Sequence, residues 1–506
     1  MSLPVSIYNL AELYRSQGRY ADAEPLYQQA LALRQELLGD RHPHVANSIN
    51  NLALLYDSQG RYEEAEPLHK QALSLRQELL GDRHPHVADS INNLASLYYS
   101  QSKYEKAEPL LRQALSLMQE LFGDHHPHVA TSINNLAELY RSQGRYEKAE
   151  LLFQQALSLR QELLGDRHPY VADSINNLAV LYDSQGRYEA AEPLYQQALA
   201  LRQELLGDLH PHVAISINNL AELYRSQGRF EEAEPLYKQA LLLAQEQLGD
   251  RHPHVATSLN NLALLYASQG RYKAAELLHK QALSLKQELL GDRHPDVAAS
   301  LNNLALLYFS QGRYKAAEPL YQQALSLMQE QLGDRHPHVA TSLNNLAELY
   351  CSQGRYEEAE PLHKQALSLR QELLGDLHFD VAESLNNLAF LYKSQRRYEA
   401  AEPLYQQAIA LMQELLGDRH PHVANSINNL ASLCYSQGRY TEAEVLYTQA
   451  LQIAEAVLGR DHPNTKAIRK NLEIMRPWWQ WIVVILLIPF YLLFTLFRWL
   501  IRLFGM

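Results

Sequence analysis

Histidine pairs recur along this chain at a fixed interval: His42-Pro43-His44, His84-Pro85-His86, His125-His126-Pro127-His128. Paired imidazoles invite a zinc reading, and a zinc site needs three or four ligands converging tetrahedrally. Each loop offers two, and the next loop lies a repeat away, roughly 10 Å by helix-packing distance. Asp296 and Asp380 also stand where the second imidazole would be. The expectation is therefore no metal, only loops leading into helices with a solvated, pH-sensitive edge. No Gly-rich phosphate loop, nucleophile elbow or His-Glu-x-x-His motif is present. The many carboxylates recur with the period and read as solvated faces. Catalysis would need one unit that departs from its siblings, and none departs enough. No enzyme, no cofactor and no small-molecule substrate are expected. What remains is a row of paired carboxamides: Asn50, Asn51, Asn92, Asn93, Asn134, Asn135, Asn176, Asn177, Asn218, Asn219, Asn260, Asn261, Asn302, Asn303, Asn344, Asn345, Asn386, Asn387, Asn428 and Asn429. A carboxamide both donates and accepts, so such a row can hold an extended peptide backbone whatever its sequence.

The elements that position these groups follow from the interval. Asn-Asn-Leu-Ala occurs ten times, each copy 42 residues after the last, with no insertion or deletion. A fixed period of that length marks a stacked solenoid. Within residues 43 to 82, Pro43 suits the first turn of a helix. Val45, Ile49, Leu52, Ala53 and Tyr56 then follow at helical spacing on one face. Gly60 permits a left-handed turn. A second helix runs from about Tyr62 to Leu80, with Gly81 as its left-handed stop. Pro67 should bend its first turns, although Leu151, Leu277 and Val445 replace it elsewhere. The turn glycine becomes Ser102 and Arg396 in two units. Each costs about 1 kcal/mol if the backbone stays left-handed, and makes a soft point.

Most positions barely change between units, but those of Asn47, Leu54 and Asp57 vary freely. At about 100° per residue, these three share one arc of the first helix with Asn50, Asn51 and Ser58, opposite the apolar Ile49, Leu52 and Tyr56. A constant Asn-Asn-Ser frame and a variable trio thus occupy one exposed face. The trio is apolar in places, with Leu264, Ala267, Leu306, Phe309, Phe390 and Tyr435, and charged at Glu348 and Lys393. Glu12/Arg15, Glu138/Arg141 and Glu222/Arg225 read as surface ion pairs at i, i+3. Asp57, Asp89, Asp173, Asp183, Glu348 and Glu383 leave the face acidic.

The unit resembles a tetratricopeptide repeat (TPR), in its Leu52-Ala53, Tyr56, Ala65, the ring at His69 (Tyr27, Phe153 and Tyr195 elsewhere) and Ala72. Its length, with Tyr-Glu-Glu-Ala-Glu-Pro-Leu and Leu-Gly-Asp-x-His-Pro, is similar to the repeats of kinesin light chains and their bacterial relatives. The resemblance covers about residues 4 to 475. It implies an all-α, right-handed α-solenoid of about eleven helix hairpins plus a final helix, Pro463 to Met475, whose Lys466, Arg469 and Lys470 suit a polar end cap. It also implies that first helices line a concave groove that is the ligand face. The Asn frame, notably Asn260, Asn302 and Asn344, would then hold ligand backbone. Leu264, Ala267, Leu306, Phe309, Glu348, Phe390, Lys393 and Tyr435 would read side chains. Kinesin light chains take acidic tryptophan-containing peptides. The acidic face here implies instead a neutral or basic segment with apolar anchors. The alternative of an Asn frame that merely bridges neighbouring helices stays open.

Net charge is -12 and the pI about 6.0, which excludes the basic stripe that nucleic acid requires. Cys351 and Cys434 lie about two repeats apart, and a bond is not expected where each unit touches only its neighbours. So few thiols fit a reducing compartment. The first ten residues carry no basic-then-apolar leader. All four tryptophans follow the repeats, at Trp478, Trp479, Trp481 and Trp499, around an apolar run from Ile482 to Phe497 that contains Pro489. Twenty residues of helix span roughly 30 Å, a bilayer core, with aromatic belts at both ends. Two domains follow: residues 1 to 475 as the solenoid and 476 to 506 as a C-terminal membrane anchor. Residues 478 to 504 would meet the lipid bilayer as one transmembrane helix, or lie in one leaflet. Lys466, Arg469, Lys470 and Arg476 precede the run and Arg498 and Arg502 follow it, which keeps the repeats cytoplasmic. The reading is a membrane-tethered, single-pass protein-interaction scaffold. A kinesin-light-chain-like cargo adaptor and a regulatory subunit presenting a separate signalling enzyme are the alternatives.

Overall fold

The structure, a computed structural model, describes residues 2–475, and these form 23 α-helices with no strand. In chain order the helices are α1 (Ser2–Ser16), α2 (Tyr20–Leu38), α3 (Pro43–Ser58), α4 (Tyr62–Leu80), α5 (Pro85–Ser100), α6 (Tyr104–Phe122), α7 (Pro127–Ser142), α8 (Tyr146–Leu164), α9 (Pro169–Ser184), α10 (Tyr188–Leu206), α11 (Pro211–Ser226), α12 (Phe230–Leu248), α13 (Pro253–Ser268), α14 (Tyr272–Leu290), α15 (Pro295–Ser310), α16 (Tyr314–Leu332), α17 (Pro337–Ser352), α18 (Tyr356–Leu374), α19 (Phe379–Ser394), α20 (Tyr398–Leu416), α21 (Pro421–Ser436), α22 (Tyr440–Leu458) and α23 (Pro463–Met475). Odd-numbered helices are the first of each hairpin and even-numbered ones the second. The expected membrane segment, 478 to 504, lies outside the described residues. Among those described, no helix is long and apolar enough to cross a membrane.

Local chemistry sets the helix ends. The His before each proline is an N-cap: His42 Nδ1 accepts the His44 backbone N–H at 3.1 Å, and His84, His126 and His168 repeat the bond. Its partner is one of the amides a helix start leaves unpaired. Each second helix ends on glycine, as read from sequence, but not in the left-handed helical conformation. Gly81 has φ 79° and ψ 163°, a region essentially closed to other residues, and its N–H bonds Gln77 O at 2.9 Å. The hairpin turns do hold positive φ without glycine at Ser102 (54°) and Arg396 (61°). α4 continues unbroken through Pro67.

Alanines at Ala53, Ala65 and Ala72, all fully buried, let the helices of neighbouring hairpins approach closely. Leu52, Leu55 and Tyr56 and their equivalents join into one core running the length of the stack. Outside this core, an arginine ties most hairpins to the one before, the third carrying Lys103 instead. Arg61 bonds Glu24 of the preceding hairpin at 2.7 Å and lies 4.1 Å over the Tyr56 ring.

First helices also touch across adjacent units, as α3 does α5, α9 does α11 and α17 does α19, whereas no comparable approach joins the second helices of adjacent units. A stack whose first helices converge must curve with those helices inside. The curvature closes a full coil, and α2 meets α14. His252 Nε2 lies 3.2 Å from the Ser16 carbonyl, His294 Nε2 3.2 Å from that of Ser58, and His378 Nε2 3.2 Å from that of Ser142. His336 and His462 face Ser100 and Ser226 in the same register. Because Nδ1 of His252, His294 and His378 accepts an amide proton, Nε2 of these rings carries the ring proton and donates to the carbonyl below. The turn glycines make room for this: a Cβ on Gly18 would lie 2.5 Å from Pro253, and one on Gly228 2.6 Å from His462. The neighbours-only contact rule assumed from sequence therefore fails. Each unit of the first coil also touches a unit about one superhelical turn further on. The His-Pro loops are not uniformly solvated either, since His252, His336, His378 and His420 are buried.

Candidate ligand face on the first helices

The paired asparagines sit on the inner layer and bond first to one another. Asn93 Nδ2 donates to Asn50 Oδ1 at 2.9 Å, and the same bond joins Asn177 to Asn134, Asn219 to Asn176, Asn303 to Asn260 and Asn429 to Asn386. Asn471 of α23 closes the series on Asn428 at 3.0 Å. Three first asparagines, Asn218, Asn302 and Asn344, donate instead to a serine of the next unit, Ser258, Ser342 and Ser384. Asn50, Asn176 and Asn344 are buried. The frame is a carboxamide ladder that sets the spacing between first helices.

The variable trio presents more surface. Leu306 and Phe390 are each 45 % exposed and Tyr435 is 39 % exposed. Leu264 and Ala267 are half-buried. Phe309 is half-buried too and leans on Tyr314, with ring centroids 5.8 Å apart. Lys393 bonds Ser432 Oγ, and burial lowers its pKa. Glu348 is exposed at its edge, and partial desolvation, with Glu383 nearby, raises its pKa. Burial and Glu222 push Asp183 up to about 6. The three i, i+3 pairs form as expected, Arg15–Glu12 and Arg141–Glu138 each at 2.9 Å and Arg225 with Glu222. Part of the acidity is neutralised from behind. Arg202 reaches Asp173 at 2.6 Å and Arg370 reaches Glu383 at 3.1 Å.

Those arginines were not singled out from sequence. Arg76, Arg160, Arg202 and Arg370 are all buried, and each bonds the serine and a backbone carbonyl of the following first helix. The signal available was one second-helix position that carries arginine in five units and Met118, Ala244, Lys286, Met328, Met412 and Ala454 in the others. Among the described residues no group of three His, Cys, Asp or Glu side chains could hold a metal ion. Cys351 and Cys434 are buried thiols outside any disulfide, and Cys351 Sγ lies 3.8 Å from His363 Nε2.

A family model described as tetratricopeptide repeat matches ten overlapping stretches, residues 4–78, 58–120, 86–162, 130–204, 212–288, 277–330, 296–372, 338–414, 380–455 and 422–475. Among solved structures, the chain is 29 % identical to BtubC (BKLC) from P. vanneervenii, covering 46 % of this chain and 92 % of that one, with a TM-score of 0.39. It is 28 % identical to a Podospora anserina putative kinesin light chain with nearly identical TPR-like repeats, covering 40 % and 97 %, at 0.35. A Rap protein complexed with competence and sporulation factor shares the fold at 13 % identity and a TM-score of 0.51, covering 74 % and 99 %. No curated protein matches.

Proposed function

Because the chain belongs to the tetratricopeptide-repeat family, a fold typical of protein–protein interaction, we propose that it is a non-catalytic scaffold holding extended segments of partner proteins along its inner face. The observation that carries this reading is the exposure of Leu306, Phe390 and Tyr435 at the positions that vary between otherwise uniform units. A structural frame needs constancy, and a face that discriminates ligands needs variation on a constant ground. The asparagines, spent mostly on the ladder, set the pitch of that face and offer a ligand only the polar atoms left over. Glu348 and Asp183 favour a neutral or basic segment with apolar anchors. Residues 478–504 would tether the scaffold to a membrane with the repeats on the cytoplasmic side, which raises the effective concentration of whatever it holds there. The kinesin-light-chain-like adaptor and the enzyme-presenting subunit use the same face and differ only in what is bound.

A displayed peptide library selected on the full chain tests the groove. Neutral or basic peptides with spaced apolar residues should be enriched, and L306D/F390D should lose them at least tenfold. Enrichment of acidic peptides, or selection unchanged by L306D/F390D, would overturn the reading. Protease protection of the repeats in sealed cells, with cleavage on lysis, is the corresponding result for the tether.

A further inference from the structure

One second-helix position faces the inner layer from behind and carries an aromatic ring in every hairpin but one: Tyr27, His69, Phe153, Tyr195, Tyr237, His279, Tyr321, His363, Tyr405 and Tyr447, against Leu111 in α6. Five of the polar rings reach three positions of their own first helix. His279 and His363 bond the first asparagine, Asn260 at 3.1 Å and Asn344 at 2.9 Å. Tyr237 bonds Glu222 at the middle variable position. His69 and Tyr195 bond Asp57 at 2.9 Å and Asp183 at 3.4 Å at the last one. In the third hairpin these three positions are Asn92, Ser96 and Tyr99. Leu111 has neither ring nor donor to offer them.

The consequence is a cavity of about 190 Å³ lined by Asn92, Ala95, Ser96, Tyr99, Leu111 and, from α7, Asn135 and Glu138. Its wall is fixed. Tyr99 is bonded to Ser142 at 2.7 Å, and Glu138 is held by Arg141 at 2.9 Å. Ser96, exposed, marks its mouth. Asn92 Oδ1 is buried with no hydrogen-bond partner among the described residues. The same atom of Asn218 and Asn302 is unpartnered as well, but there a buried tyrosine, Tyr237 or Tyr321, already occupies the ring position. Leaving a buried acceptor unpaired is costly. A cavity of roughly 150 Å³ is enough for a benzene-sized guest.

We propose that this cavity is a binding site for an aromatic side chain bearing an N–H or O–H donor, a histidine or tyrosine of a partner segment, which supplies in trans the ring that ten sibling hairpins supply in cis. The ring fills the space left by Leu111 and its donor satisfies Asn92 Oδ1. The proposal rests on the inner face being the ligand face, and it places one anchor there between α5 and α7.

The test uses the full chain and two small probes of equal shape, p-cresol and p-xylene, followed by ligand-observed saturation-transfer NMR. p-Cresol should bind at least tenfold more tightly than p-xylene. L111Y, which installs the sibling residue, should abolish binding of both, and N92L should bring the two probes to within about twofold of each other. p-Cresol bound equally by L111Y, or no preference for p-cresol in the unaltered chain, would overturn the proposal. Failure here with peptide selection still sensitive to L306D/F390D sinks this anchor alone. p-Cresol bound as expected, with selection insensitive to L306D/F390D, sinks the wider groove reading.

Discussion

Mild acid should part the coils. His336 and His420 cap their helices through Nδ1 and turn Nε2 toward the coil beneath, and they are 2 % and 5 % exposed. Burial pushes both imidazoles down to about 3. Charge on His338 or Lys103 acts in the same direction on His336, as charge on His422 does on His420, while the Ser100 carbonyl opposes it at His336. Burial also lowers His252, His294 and His462. A native value below the unfolded one of about 6.5 means that the full contribution is present above pH 6.5 and is lost as pH falls from there toward 3. At pH 5 the deficit is about 1.5 units, or about 2 kcal/mol for each of the two. Protonation of Nδ1 removes the cap acceptor and buries a charge, so the cheapest response is to release the loop from the turn below. His279 and His363, pushed down to about 4 by burial inside their hairpins, add a similar cost that coil opening does not relieve. Hydrogen exchange at 101–103 and 185–187, together with small-angle scattering, should show faster exchange and a longer particle at pH 5 than at pH 7. H336N/H420N keeps an acceptor at both caps but cannot titrate, and should remove most of the change at those two turns. Identical exchange at both pH values, or an unaltered acid response in H336N/H420N, would refute the reasoning.

Two further outcomes follow from the backbone. G228A and G312A impose the same positive-φ strain, on the order of 1–2 kcal/mol, because Gly228 and Gly312 have φ of 72° and 70°. Only at Gly228 would the new Cβ strike the upper coil, since Gly312 has nothing within 4 Å. Denaturation midpoints should therefore fall further for G228A, and equal shifts would mean that the coils do not meet in solution. S102G and R396G relieve left-handed residues at φ 54° and 61° and should each raise stability by about 1 kcal/mol in the same assay. No change would show the strain already relaxed.

The hairpins were legible because each boundary rests on a local cue. Pro43 starts a helix, Gly81 ends one, and Ile49, Leu52 and Tyr56 keep helical spacing between them. The coil-to-coil contact was not legible. It joins residues 236 positions apart, as His252 and Ser16 are. It arises from a small tilt per unit that accumulates and leaves no period of its own. The histidines were visible but misjudged, because a ring directly before an N1 proline sits at the cap position and its Nδ1 reaches the amide two residues on. The asparagine pairs read as one exposed face, but Asn50, Asn176 and Asn344 are buried, and the bonds between them depend on distances between units that one unit's periodicity does not contain. Leu111 was printed in plain view. Its significance appears only when the partners of five sibling rings show what a leucine fails to reach.

The contact between coils changes how stability should scale with repeat number. In an open stack each added hairpin contributes one interface, and the free energy grows linearly. Here the seventh hairpin adds two, one sideways and one downward, and so does each hairpin after it. A chain of five units and a chain of eleven are therefore different materials: the first frays from its ends, and the second melts as a cross-linked cylinder. Duplication past the sixth unit is rewarded, and trimming below it is penalised out of proportion to the residues removed.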